Sequence, residues 1–494
     1  MMQRREFLKL SGLAGVSLYA FPEYLLAEES SGDGYKAMVV VLLHGGNDSI
    51  NMFIPSGDDT QKGYANYASI RTSLKVEDVD LSNKLNVTDG KLSMGSGSEN
   101  PYYQNGTISD AYTKGFYRHS GLDLATNGMM PELAHLVNQN RVAIVANMGT
   151  LIKPVTKAEL LAKTKPRPPY LFSHNSQRRL WFTGESSTQN RHGWAGILAD
   201  NLPDVNGGSI YGMNISIENG THMLYGKNSG YLNISRSGPD KYKSINRAMY
   251  DEWLAKENSN PYHKLYNRMR KHSFDMQDVL VNDWVNNSPS FSSKNVYGEE
   301  LFSTPSFTTL GVKSADGVGT RLQEKFKAVA KLAYIGKNAG LKRQIFYVQH
   351  GGYDTHGNQA QQHGKILREL SLGLGDFQLA LDEMGMSDEV TTFNISDFGR
   401  SVGNNGNGTD HAWGGHYFAM GGAVKGGVYG TLPDLTLGGE DDLTQKGRLI
   451  PTTSTSQYYG TVLKWFGVDD STMHQVLPEL SNFDVGDLGF MKSV

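Results

Sequence analysis

An α/β fold with a mostly parallel central sheet lying between helices is predicted by three observations. Continuous apolar runs rich in β-branched residues recur far apart in the chain, at residues 37–43 (AMVVVLL), 141–147 (RVAIVAN), 344–349 (QIFYVQ) and 390–395 (VTTFNI). Segments of helical spacing alternate with them. Three of the runs end in loops that carry acids, and open α/β sheets place their chemistry at such strand ends.

The 494 residues, 38% of them apolar, suffice for a large core. A net charge of -3, from 47 basic and 50 acidic residues, gives no bulk attraction for nucleic acid or a membrane surface. There is no cysteine, which removes disulfides, zinc–thiolate sites and thiol nucleophiles, and suits an oxidising compartment. At the N-terminus, Gln3-Arg4-Arg5-Glu6-Phe7-Leu8-Lys9 precedes a short apolar run and Leu25-Leu26-Ala27. This pattern predicts a twin-arginine (Tat) signal over residues 1–27, hence a periplasmic or extracellular protein that meets the Tat translocase on export. The apolar run is shorter than the ~20 residues a bilayer needs, so no stable transmembrane segment is expected.

The first strand, residues 37–43, ends in His44-Gly45-Gly46-Asn47-Asp48-Ser49, where two glycines let the backbone turn sharply and approach a ligand. Residues 56–127 are rich in Ser, Gly, Asn and Tyr and read as an insertion. A short helix over 131–137 leads to the strand at 141–147. Residues 166–185 hold His174 and Gln177, which share one helical face. His174 either lines the site with a catalytic role or pairs structurally with Gln177. Residues 201–314 read as a second loop-rich insertion. Leu322, Phe326, Val329 and Ala333 then mark a helix before the strand at 344–349, which runs into His350-Gly351-Gly352-Tyr353-Asp354-Thr355-His356. Ile366, Leu370, Leu374, Phe377, Leu381 and Met384 form the stripe of a long helix ending near Gly385. The strand at 390–395 delivers Asp397 into a Gly- and Asn-rich loop with Asp410, His411 and His416. A final helix is expected over 458–465, stopped by Gly467.

Half of the 14 histidines (44, 174, 350, 356, 363, 411 and 416) fall in or beside these stretches, more than surface decoration would explain. Carboxylates with neutral imidazoles and no thiolates suit one or two divalent ions among Zn, Mn, Fe, Mg and Ca. The expected ligands are Asp48, Asp354, His356, Asp397, and His411 or His416. Ser49 would be a nucleophile activated beside the metal; alternatively a water attacks and Ser49 is a turn residue.

LLHGGNDSINMFIP, MPELAHLVNQNRVAIVANMG, FSHNSQRRLWFTG, FYVQHGGYDTHGNQ, FNISDFGRS and GTDHAWGGHYFAMGGAVKGG resemble, in this order, blocks of the domain of unknown function 1501 family, Tat-exported proteins related to the alkaline phosphatase and sulfatase superfamily. The resemblance implies an alkaline-phosphatase-like single domain over residues 28–494. It implies Asp48 as first-strand ligand, Ser49 in the nucleophile slot, Asp354 with His356 on one metal, and Asp397 with His411 or His416 on the other. Where the superfamily commonly has Asp-His after the late strand, this chain has Asp397-Phe398, so that imidazole either comes from the later loop or is missing. The function expected is an exported metal-dependent hydrolase of a small-molecule or glycan phosphate or sulfate ester. The alternative is a non-catalytic envelope or surface protein that keeps the fold and binds glycan or a protein partner.

Overall fold

A computed structural model describes residues 34–88, 91–93, 108–187, 190–207, 209, 211–239, 247–256, 260–303, 319 and 321–493. The expected leader, residues 1–27, and parts of both expected insertions lie outside the described residues.

Nine strands form one sheet: β1 (Lys36–Leu43), β2 (Val142–Gly149), β3 (Asn214–Ile217), β4 (Leu232–Ile234), β5 (Arg343–His350), β6 (Val390–Ser396), β7 (Gly415–Met420), β8 (Gly427–Gly430) and β9 (Thr453–Ser454). Their order is β8-β2-β7-β6-β1-β5-β3-β4, with β9 also on β2. β7 alone runs against its neighbours, and every other pairing in the sheet is parallel. The sheet is thus mixed and mostly parallel, as the apolar runs predict.

β1 is central because every one of its residues is buried, so it requires cover on both faces. Successive side chains alternate across the sheet. Val39, Val41 and Leu43 pack with Phe326 of α5 (Arg321–Asn338) and with Leu367, Leu370 and Leu374 of α6 (Gln359–Glu383). Met38, Val40 and Leu42 pack on the other face with Trp181 of α3 (His174–Thr183), Trp194 of α4 (Trp194–Asn201), and Tyr458 and Val462 of α7 (Thr455–Phe466). Helices therefore cover both faces. α2 (Pro131–Asn138) packs against α6, and α1 (Tyr64–Arg71) lies in the stretch that follows β1.

Several expectations need correction at their edges. Residues 201–314 are not only an insertion: they supply β3 and β4 to the main sheet, besides the helices Arg247–Ala255 and Pro261–Asn286. Strands of four and three residues are too short for a period to emerge from an Asn- and Ser-rich background. The stretch 56–127 holds α1 and two strands of a small three-stranded sheet that begins with Phe53–Pro55. α7 starts at Thr455, earlier than its apolar pattern, because Ser454 and Gln457 form a capping box. Gly467 ends it in the left-handed conformation, as expected, but a further helix, Asp470–Val476, follows.

Candidate metal centre

β6, β1 and β5 are adjacent and parallel, and their last residues stand level: Leu43 pairs with both His350 and Ser396. Three loops therefore leave one edge of the sheet side by side. Gly45, with φ +121°, lets the first loop close on the second, since a Cβ there would stand 2.5 Å from the backbone nitrogen of Asp354. The third loop folds back as a hairpin, Arg400–Asn404 with Thr409–His411. At its turn Gly408 packs on His356, whose carbonyl carbon would be 2.3 Å from an added Cβ.

Four side chains from three elements converge at this edge. His411 Nε2 and His356 Nε2 each stand 3.1 Å from Asp354 Oδ1, and 2.8 Å from one another. His174 Nε2 is 3.4 Å from Asp354 Oδ2. The opposite nitrogen of each ring faces an acceptor. His174 Nδ1 lies 2.8 Å from Asp397 Oδ2, His411 Nδ1 lies 2.8 Å from the Phe172 carbonyl, and His356 Nδ1 faces Asp410 Oδ1 at 3.5 Å. Carbonyls and carboxylates only accept, so each Nδ1 carries the proton. Each neutral Nε2 then presents a lone pair to the Asp354 carboxylate. Lone pairs aimed at an anion repel unless a cation or an added proton sits among them, and Nδ1 anchored to an outer acceptor is the usual arrangement of metal-binding histidines. The ligand atoms of His174, Asp354 and His411 lie within 4.8 Å of one another. A divalent ion fits this donor set.

Charge supports the assembly. Burial opposes ionisation of Asp354, but the hydrogen bond and charge of Arg400 hold its carboxyl below the ordinary range. The hydrogen bond to Asp397 raises the His174 pKa, against some burial, while burial lowers that of His411. Arg400, with its side chain fully buried, donates to Asp354 Oδ1 (2.9 Å), the Gly45 carbonyl (3.2 Å) and Thr409, locking the hairpin to the first two loops. Asp397 is fully buried too, and its Oδ1 has no hydrogen-bond partner.

Of the residues expected from sequence, Asp354, His356, Asp397, His411 and His174 meet here, with Asp397 behind His174. Asp48, Ser49 and His416 do not join them. Asp48 is fully buried and ion-paired through both oxygens to Arg71 at the end of α1 (2.6 and 2.8 Å), and it also accepts from Gln359. Ser49 is 3% exposed, with its Oγ accepting the His416 backbone N–H at 2.7 Å. His416 points into the core, its Nδ1 accepting from the Asn147 backbone at 3.2 Å. Gln177 pairs with Thr150 and the Pro169 carbonyl, not with His174. Sequence reasoning missed Arg400, Arg71 and the Phe172 carbonyl; Arg400, inside the FNISDFGRS block, and Phe172, which opens the FSHNSQRRLWFTG block, sat near a recognised signal.

Two buried imidazoles make the fold sensitive to acid. Burial lowers the pKa of His363, held between Tyr112 and Asn47, to about 4, and that of His416 likewise. In the unfolded chain each protonates near its ordinary 6.5, so the stability they confer is present above that pH and lost as pH falls through about 4. Each gap is worth roughly 3 kcal/mol. Urea midpoints should begin to fall below about pH 6.5, before carboxylates titrate; a flat profile from 7 to 5.5 would count against buried neutral rings.

The sequence pattern of a family described as protein of unknown function (DUF1501) matches residues 35–472. The chain belongs to this family. No curated protein matches it. Solved structures similar to the DUF1501 chain include a lipoteichoic acid synthase from Listeria monocytogenes, at 9 parts in ten of this chain, or 89%, and 73% of that one, with 8% identity and a TM-score of 0.33. A sulfatase from Pseudoalteromonas sp. covers 93% of this chain and 74% of its own at 11% identity and a TM-score of 0.30. A phosphonate monoester hydrolase from Silicibacter pomeroyi covers 69% of each chain at 8% identity and a TM-score of 0.27. At such scores these likenesses add nothing to the reading of the site, which stands on its own geometry.

Proposed function

We propose that this DUF1501 protein is an exported, metal-dependent hydrolase of phosphate or sulfate esters, with His174, Asp354, His356 and His411 holding one divalent ion. The observation that carries the reading is the convergence of three Nε2 atoms on Asp354 while each Nδ1 is turned to an outer acceptor. Three imidazoles and one carboxylate favour Zn or Fe over Mg or Ca, which prefer oxygen. Bound there, the ion would supply Lewis acidity toward an ester oxygen. The chain's own contribution is orientation: Asp397 sets the His174 ring, Phe172 sets His411, and Arg400 fixes Asp354. A cleft of 610 Å³ beside the cluster, lined by His44, Asn175, Arg178 and Gln362 among others, offers room for a substrate.

Protein purified from its native compartment should contain one equivalent of transition metal by elemental analysis. Chelation should abolish hydrolysis of aryl phosphates or aryl sulfates, and readdition should restore it. Full activity in metal-free protein would sink the proposal. Ser49→Ala should leave turnover unchanged, because a hydroxyl 3% exposed and tied to the His416 amide has no route to substrate; a hundredfold loss of kcat without loss of stability would reinstate the serine nucleophile. Export rests on residues 1–27 and is checked by the paired change Arg4→Lys with Arg5→Lys, which should hold the protein in the cytoplasm.

A further inference from the structure

Arg178 lines the cleft together with His174, Asp354, Asn175 and His44. It is the permanently charged cation among the lining residues. α3 places it one turn beyond His174, so the two side chains share a helix face and flank the same carboxylate. His174 Nδ1 is 2.8 Å from Asp397 Oδ2, whereas Arg178 Nη1 is 3.6 Å from that oxygen, too far for a hydrogen bond. Nη1 is buried beside Asp397 without a hydrogen-bond partner, and among the described residues the guanidinium donates a hydrogen bond from Nη2, to Asn175 Oδ1 at 2.8 Å. Three other arginines at the core spend both Nη atoms on acceptors, although the Nε of Arg71 and of Arg368 is buried without a hydrogen bond. Arg71 grips Asp48 through both Nη atoms, Arg368 grips Glu132 in the same way at 2.6 Å, and Arg400 ties Asp354, Gly45 and Thr409. Arg178, four-fifths buried, makes one hydrogen bond among the described residues.

We propose that Arg178, oriented by Asn175, forms the subsite for a tetrahedral oxyanion, the phosphoryl or sulfuryl end of the ester, next to the metal centre. This deepens the hydrolase reading and rests on it. A planar guanidinium at the cleft wall matches two oxygens of such a group, where an ammonium would offer only a point charge. The subsite selects esters that carry a negative charge on the reacting group and gives a neutral carboxylic ester no advantage. The competing role for Arg178 is a counter-charge for buried Asp397, a task a lysine could share.

The test is calorimetric titration of inorganic phosphate, and separately of inorganic sulfate, into full-length protein carrying its metal. Wild type should bind at least one of the two, and Arg178→Gln and Arg178→Lys should both bind it about tenfold more weakly or worse, with metal content and Tm unchanged. Asn175→Ala, at an exposed position, should weaken binding severalfold and serves if Arg178→Gln does not fold. Wild-type affinity in Arg178→Lys, coupled with metal loss or a lowered Tm in Arg178→Gln, would leave Arg178 as the partner of Asp397 and overturn the subsite. So would metal-loaded wild type that binds neither anion. Arg178-dependent anion binding without turnover of any aryl ester would instead remove the hydrolase reading and leave the subsite standing.

Discussion

Asp48→Ala should lower the free energy of unfolding by about 3–5 kcal/mol while leaving the metal content of the folded fraction unchanged. Both members of the Asp48–Arg71 pair have fully buried side chains. Burial disfavours the charge on Asp48, but Arg71 outweighs it and holds the carboxyl below the ordinary range. The guanidinium also donates to the Ser401 carbonyl at 3.2 Å, so it joins α1 to the hairpin that carries His411. Removing the carboxylate strands a cation with no water and no counter-charge, and that penalty exceeds the value of the lost hydrogen bonds. Replacing both partners, Asp48→Ala with Arg71→Met, should recover much of the loss, because no charge is then left unpaired. Urea titration with elemental analysis of the same samples decides it: normal stability with lost metal would return Asp48 to the ligand set.

The difference between Asp48 and the residues that do converge marks how far the sequence could be read. β1, β5 and β6 were legible because strands covered on both faces are written as continuous apolar runs, and the Gly-Gly breaks after β1 and β5, with Ser396-Asp397 at the end of β6, fixed where the loops begin. Asp354 and His356 follow such a break directly. What the sequence could not show was direction. Asp48 turns inward because its partner, Arg71, sits in a stretch with no readable period, and the pairing joins residues 23 apart across a loop. His411 and His416 are five residues apart and looked equivalent. The hairpin ending at His411 holds one at the cluster, while β7 carries the other into the core. For His174 the sequence offered Gln177 as the alternative partner, since Asp397 lies 223 positions away and only the folded sheet brings it to Nδ1. Spacing identifies helix faces and strand ends; it cannot report which way a carboxylate at a strand end will turn.

Asp354→Ala should empty the metal site at a smaller cost in stability than Asp48→Ala, because Arg400 loses its anionic partner but keeps its hydrogen bonds to Gly45 and Thr409. The Asp354 side chain is 46% exposed, so truncation leaves no cavity in the core, and the loop stays anchored by the Tyr353 packing and the Thr355–Gln359 hydrogen bond at 3.1 Å. Yet Asp354 is the one carboxylate toward which all three Nε2 atoms turn. Without it, a divalent ion faces three neutral rings with Arg400 close by, its guanidinium deprived of its anionic partner. Changing a residue behind a ligand costs about 10–100-fold in metal affinity, and loss of the anionic ligand itself should cost at least that. Asp397→Asn provides the graded comparison. An amide oxygen can still accept from His174 Nδ1 but brings no charge, so metal affinity should fall within that 10–100-fold range with His174 still in place. Competition with a chelator of known affinity orders the variants: wild type tightest, Asp397→Asn intermediate, Asp354→Ala weakest. Equal affinity in all three would mean that the converging imidazoles serve as a hydrogen-bonded surface cluster and hold no ion.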